Sequence, residues 1–417
     1  MNARGLLTVL LAVLAMAAAQ GADGPPIHEA SVTTVVKQHR GGVGGVVVDQ
    51  LGFVYVADFH ENVWRLDPAN NELSLYSSGL YGASGNTFDR NGNLYQANFY
   101  GHSIQKISRS GEMSTVLTDG LNGPVGMVFD DAGNLMICSC NDQSIKKLTP
   151  EGSVTTFATS AEFNCPNGIT RNDAGDFFVV SFSSPKIMKI TPDGEISEFA
   201  NTGGNGVGHI VLLRDVFYAT SFVDNKIYRI SADGSVSLFS GDGERSSTDG
   251  PVAEATFSSP NGIAADPTGN YLYINDYIGD QNAMGATRSP FSLRRIELPR
   301  LNKIMAFALE SESRDAADVA YRSFKDDPAS AGENTESEMN SLGWGYMSRN
   351  EFENAAYVFK LNAESYPDSW RAYSSLGASY MRVEERDLAI SALKKSLELN
   401  PENVRATARL KELDAIE

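Results

Sequence analysis

The 417-residue chain is short of cysteine, of histidine and of positive charge. Its 34 Lys and Arg stand against 52 Asp and Glu, a formal net charge of −18. Nucleic acid and anionic membrane both require clustered cations, so this balance argues against either as a partner. Beyond the first 20 residues no apolar run reaches membrane-spanning length. No Gly-x-Ser-x-Gly elbow, His-Glu-x-x-His pair or phosphate-binding glycine loop occurs, which leaves common hydrolase and nucleotide machinery without support. The only cysteines are Cys138, Cys140 and Cys165.

What is present begins with an N-terminal address. Arg4, an apolar stretch from Gly5 to Met16 and Ala17-Ala18-Ala19 form the three parts of a secretory signal over residues 1–19, with cleavage after Ala19. No cysteine follows that could carry a lipid. The expected location is the periplasm or the cell exterior.

From Gly45 onward one pattern is written six times: glycine, a short apolar run, a turn, then a strand rich in Tyr and Phe. Gly45, Gly85, Gly126, Gly168, Gly208 and Gly262 are spaced 40, 41, 42, 40 and 54 residues apart. Phe59, Phe99, Cys140, Phe182 and Phe222 each fall 14 residues after their glycine, and Tyr277 falls 15 after. Strand-type content at a period near forty predicts a β-propeller. Turns such as Asp130-Asp131-Ala132-Gly133 and Pro150-Glu151-Gly152 divide each copy into four antiparallel strands. The sixth copy lacks its last strand. Ser31–Val36 (residues 31–36) nearly copies Ser153–Phe157, so the N-terminal strand is expected to complete the sixth blade and close the ring. Residues 28–299 therefore read as six blades. Cys140 and Cys165 are expected at one rim of neighbouring blades, where they form a disulfide or remain thiols with Cys138.

From residue 301 to 417 the composition turns helical. Leu342-Gly343, Tyr346, Ala355, Phe359 and Pro367 recur 34 residues later as Leu376-Gly377, Tyr380, Ala389, Leu393 and Pro401. This resembles two tetratricopeptide repeats, over 336–369 and 370–403, with flanking helices from Ile304 to Phe324 and Asn403 to Leu413 as caps. The fold class is thus an all-β six-bladed propeller followed by an all-α helical-repeat domain. The propeller itself resembles the NHL-repeat and gluconolactonase-like (senescence marker protein) group. The resemblance is carried by Asp249-Gly250-Pro251, Ala255, Phe257, Pro260-Asn261-Gly262-Ile263-Ala264 and Gly269–Ile274.

In a meander of this kind the residues before each glycine and before each aromatic mark surround one mouth of the channel. The first set is Gly44, Ser84, Val125, Asn167, Val207 and Asn261; the second is Asp58, Asn98, Ser139, Ser181, Ser221 and Asp276. The family resemblance implies a divalent cation, calcium or zinc, at the first set. Asn167 and Asn261 match that motif in Pro-Asn-Gly triplets, the expected acids are missing, and Asp276 is the candidate third ligand. Asp58 or His209 would then be the general base. His60, Asn98 and His102 stand near the same rim as ligand-binding candidates. So do Asp280 and Arg288, in a long link between the second and third strands of blade 6. Zinc on His60, His102 and His209 is the histidine alternative, weakened because two of the three lie on adjacent blades.

Two functions follow. The first is an exported scaffold that binds a small molecule or peptide at the mouth and a protein along the helical groove. The second is a metal-dependent lactonase or related lyase.

Overall fold

The computed structural model describes residues 29–279, 290–327, 330 and 332–414. The chain divides into two compact units, one spanning Glu29–Leu298 and the other from Pro299 onward. The first is a six-bladed β-propeller. Each blade is an antiparallel sheet, and blade 3 shows the plan: Pro124–Phe129 innermost, then Leu135–Ser139, Ser144–Leu148 and Val154–Thr159 outermost. The second strands are the core of the domain. Val54, Val56, Ile137, Val179, Ala219 and Ile274 are fully buried, each large aliphatic contributing roughly 1.5–3 kcal/mol by leaving water.

Ring closure is as the repeat predicts. Ser31–Arg40 pairs antiparallel with Pro290–Glu297, the third strand of blade 6, and so stands where the fourth strand is missing. Asp249 fastens it. Its carboxylate accepts hydrogen bonds from Thr34 N–H (3.0 Å) and Thr34 Oγ1 (2.8 Å), and from the fully buried Arg294 guanidinium (2.9 Å). Gly250–Pro251 then adds a short fifth strand on the outside of Ser31 and Val32.

The repeat glycines have a steric explanation. A Cβ on Gly126 would lie 2.5 Å from the Asn167 carbonyl oxygen and 2.9 Å from the Gly168 Cα, both backbone atoms of the next blade. Successive inner strands therefore touch at this level, and only hydrogen fits between them.

Blade 5 departs from the pattern. In blade 1, Gly44 N–H donates to Ala57 O and Ala57 N–H donates back to Gly45 O; in blade 5 these roles belong to Gly208, Thr220 and His209. A Cβ on Gly168 correspondingly meets the Cα of His209 at 2.8 Å. The ring position of blade 5 is thus His209, and Gly208 takes the preceding place expected for Val207. The cause is a tight two-residue turn at Arg214-Asp215, both with positive φ (54° and 62°), where other blades use a longer turn. The shorter turn moves the register by one residue.

In the second unit, seven helices follow among the described residues: Leu301–Ser311, Arg314–Asp326, Glu336–Ser348, Phe352–Ser365, Trp370–Arg382, Arg386–Leu399 and Val404–Glu412. The helical segment expected from Ile304 to Phe324 holds two helices, divided where the Ser313 side chain caps Ala316 N–H. Small residues sit where helices meet: Gly343 faces the Phe359 ring, and Gly377 faces Leu393. No helix among the described residues is long and apolar enough to cross a membrane.

Candidate functional site

At one mouth of the channel the propeller holds a pocket of about 380 Å³. Its wall is the set of residues that marks the repeat. Phe59, Phe99, Phe182, Phe222 and Tyr277 each enter from one blade, and Cys140 takes the place of the sixth aromatic. The rings follow one another round the rim, with centroids 5.7 Å apart for Phe59–Phe99, 5.7 Å for Phe182–Phe222 and 6.1 Å for Phe222–Tyr277. Tyr100 joins beside Phe99. Where the aromatic is absent, Cys140 is bonded to Cys165 across blades 3 and 4, and both sulfur-bearing residues line the pocket. Cys138 is a buried free thiol. Phe59 and Cys165 hold left-handed backbone (φ 56° and 58°), unusual for such side chains.

The floor is polar and one-sided. Asn167 of blade 4, His209 of blade 5 and Asn261 of blade 6 stand side by side, 8 %, 9 % and 7 % exposed, and all line the pocket. His209 is the one ring position that carries a side chain among its glycine equivalents. Burial lowers its pKa to about 4, so the imidazole is neutral at pH 7. Asn167 Nδ2 donates to Gly208 O (2.5 Å), and Asn261 Nδ2 donates to Val43 O (3.0 Å) and Gly44 O (3.1 Å). Each amide nitrogen thereby ties its blade to the next. Opposite them the floor is Gly44, Ser84 and Val125, and the Ser84 hydroxyl is spent on Pro124 O (2.8 Å). Among the described residues no Asp, Glu, Lys or Arg lines the pocket.

Several expected site residues lie elsewhere. Asp58, a candidate general base, is turned into its own loop. Its oxygens accept from the N–H groups of His60 (2.9 Å) and Asn62 (3.0 Å), from Asn62 Nδ2 (2.7 Å) and from Trp64 Nε1 (3.3 Å). Asp276, expected beside Asn167 and Asn261, is instead fully buried within blade 6. It accepts from Ser258 N–H (2.8 Å) and Ser247 Oγ (3.2 Å) and pairs with Arg294 at 3.4 Å. Burial pushes its carboxyl up to about 6 against those partners. Arg294 supplies the reason: a buried guanidinium on the third strand claims the acid across the sheet.

Asn98 braces the Tyr81 backbone and Ser103 Oγ. His102 accepts from Gly123 N–H (3.0 Å) through Nδ1 and does not line the pocket. His60 does line it. Asp280 and Arg288 fall outside the described residues. The aromatic wall itself was visible in the sequence as period markers, and its meaning required the ring.

The pocket's donors do not fit a divalent cation. Asn167, Asn261 and Ser84 offer only neutral oxygens, with no carboxylate beside them among the described residues, whereas calcium calls for carboxylates and zinc for several anionic or imidazole ligands converging. Among the described residues no group of three His, Cys, Asp or Glu is placed to hold a metal.

The comparisons agree with this architecture. An auxiliary nutrient binding protein from Bacteroides ovatus superposes with a TM-score of 0.53 at 14% identity, covering 64% of this chain and 76% of that one. A gluconolactonase of Xanthomonas campestris gives 0.51 at 14%, covering 65% and 90%. Virginiamycin B lyase from Staphylococcus aureus gives 0.46 at 16%, covering 65% and 100%. At such identities the likeness is one of fold. No curated protein is similar by sequence. The gluconolactonase-like resemblance read above holds at the level of the six-bladed fold. Residues 69–287, more than half of the chain and spanning blades 1 to 6, match the virginiamycin B lyase family, and to that family the chain belongs.

Proposed function

We propose that the protein binds an uncharged, largely apolar small molecule in the aromatic cup at the mouth of its propeller. One observation carries the reading: all six blades send their repeat-marking residue to the same pocket, and five of those six are aromatic. Aromatic side chains offer large contact area with little entropy to lose, which suits a preformed ligand site. Among the described residues no Asp, Glu, Lys or Arg lines the cup, which selects against ionic ligands, because a charge taken out of water needs a partner.

Export through the N-terminal signal, and recognition of a protein by the helical unit, are further parts of this proposal. They rest on the sequence patterns described above.

The test is a titration with a neutral, environment-sensitive naphthalene fluorophore. One saturable site per chain with blue-shifted emission is expected. Linear, non-saturating uptake would overturn the reading.

A second reading, elimination or lactone opening in the same cup, is favoured by the family and by His209. A neutral imidazole on the floor can take a proton from a bound substrate. This reading predicts turnover of lactones or cyclic esters that His209→Gln abolishes while binding persists.

A further inference from the structure

The floor of the cup is more specific than its wall. Asn167 and Asn261 each commit Nδ2 to the next blade's carbonyls, which orients the amide. With the nitrogens so fixed, both Oδ1 atoms are left as acceptors, and no side-chain or backbone donor among the described residues meets them. The two residues sit on blades 4 and 6 and flank His209 on blade 5. All three are more than nine-tenths buried yet line the pocket. Open to the cup, these acceptors are met by water until a ligand displaces it, and a ligand that covers them without supplying donors loses roughly 1–3 kcal/mol for each. The arrangement therefore asks for a ligand that brings two donors to one place, with an acceptor or donor for the imidazole between them. On the opposite side Phe59 and Phe99 offer only ring faces and edges, and Tyr100 adds a third ring that bears one hydroxyl.

We propose that the ligand carries an uncharged carboxamide- or urea-type head, whose N–H donors meet Asn167 Oδ1 and Asn261 Oδ1 while its carbonyl accepts from His209, and an aromatic or apolar body that packs against Phe59, Phe99 and Tyr100. The proposal rests on the cup being a ligand site. A planar NH₂ group presents two donors on one atom, one for the acceptor on each side of His209. An ammonium would also donate, but no carboxylate among the described lining residues balances its charge. A carboxylate would face two acceptors and no cation.

Matched probes separate these possibilities. Calorimetric titrations would compare 2-naphthamide with methyl 2-naphthoate, 2-naphthoate, 2-naphthylmethylammonium and 1-(2-naphthyl)ethane-1,2-diol. The carboxamide should bind about tenfold or more tightly than the ester, which lacks donors. In Asn167→Leu and Asn261→Leu that preference should fall toward parity, while ester binding persists and reports an intact cup. Equal affinity of carboxamide and ester in the wild type would overturn the head-group assignment and leave the cup as a binding site. Tighter binding of the ammonium, the carboxylate or the diol would overturn it in favour of that chemistry. Failure of every probe to bind would overturn the binding reading itself.

Discussion

Acidification should loosen the propeller through His209, by an amount that follows from its burial. The imidazole has an ordinary pKa of 6.5 and is held at about 4 in the folded protein. Above pH 6.5 it is neutral whether the chain is folded or not, and it contributes nothing to pH dependence. Between 6.5 and 4 the unfolded chain takes up a proton that the folded chain refuses, so stability falls as pH falls. At 1.36 kcal/mol per pH unit the loss reaches about 3 kcal/mol by pH 4 and then levels off.

Asp276 opposes this trend. Its carboxyl is raised to about 6, so the folded state binds its proton first and is relatively favoured as pH drops below that value. A bare pH–stability curve would mix the two. The clean quantity is the difference between wild type and His209→Gln, in which Asp276 and every other shared group cancel. Urea titrations read on backbone amide resonances of blade 5 should show that difference shifting in the variant's favour by about 2–3 kcal/mol between pH 7.5 and 4.5. The His209 ring resonances should titrate with a midpoint near 4. A midpoint above 6, or a difference that stays flat with pH, would refute the picture of a desolvated histidine on the cup floor.

Other consequences follow from the same geometry. Gly126→Ala should lower the melting temperature well beyond Gly152→Ala. The first forces a methyl against the next blade's backbone, while the second has open space and meets only the roughly 1–2 kcal/mol of its left-handed backbone; equal shifts would contradict inner-strand contact at the ring. Asp249→Ala removes acceptors from Thr34 and from the buried Arg294, so amide protection in Ser31–Arg40 should drop first, and unchanged protection there would show that Asp249 does not fasten the closing strand. Thiol counting in denaturant without reductant should find one free thiol, Cys138, rather than three. Reducing the Cys140–Cys165 bond, which closes a loop of sequence separation 25, should cost about 3 kcal/mol, and an unaltered melt after reduction would contradict a stabilising bridge.

The ring was legible in the sequence because each blade must solve the same packing problem, so the solution repeats. The donated strand was legible for a related reason: Ser31–Val36 copies an outer strand, and the sixth copy lacks one. What periodicity could not resolve was a one-residue shift. Gly208 keeps the spacing while His209 occupies the ring, because the Arg214-Asp215 turn shortens the hairpin beyond it. The side chain that distinguishes the site was therefore hidden behind a glycine that fits the count.

The fate of Asp276 was illegible for another reason. Its partner Arg294 comes from a neighbouring strand, and only the sheet register brings the two together. Asp58 was misread because a residue at the rim can turn inward to cap its own loop. Asn167 and Asn261 were found, but as metal ligands. Only the direction of their amide nitrogens shows that each spends one end on holding the ring and leaves the other facing the cup.

The measurement that bears most directly on the central claim compares the neutral fluorophore's affinity for wild type with that for Phe99→Ala/Phe182→Ala, two half-buried wall residues on blades 2 and 4. Leu75→Ala/Leu238→Ala, exposed positions on outer strands, serves as the control. Losing two aromatic contacts should weaken binding about tenfold or more, with the control unchanged. If both double variants bind as the wild type does, the cup at the channel mouth is not where this protein takes its ligand.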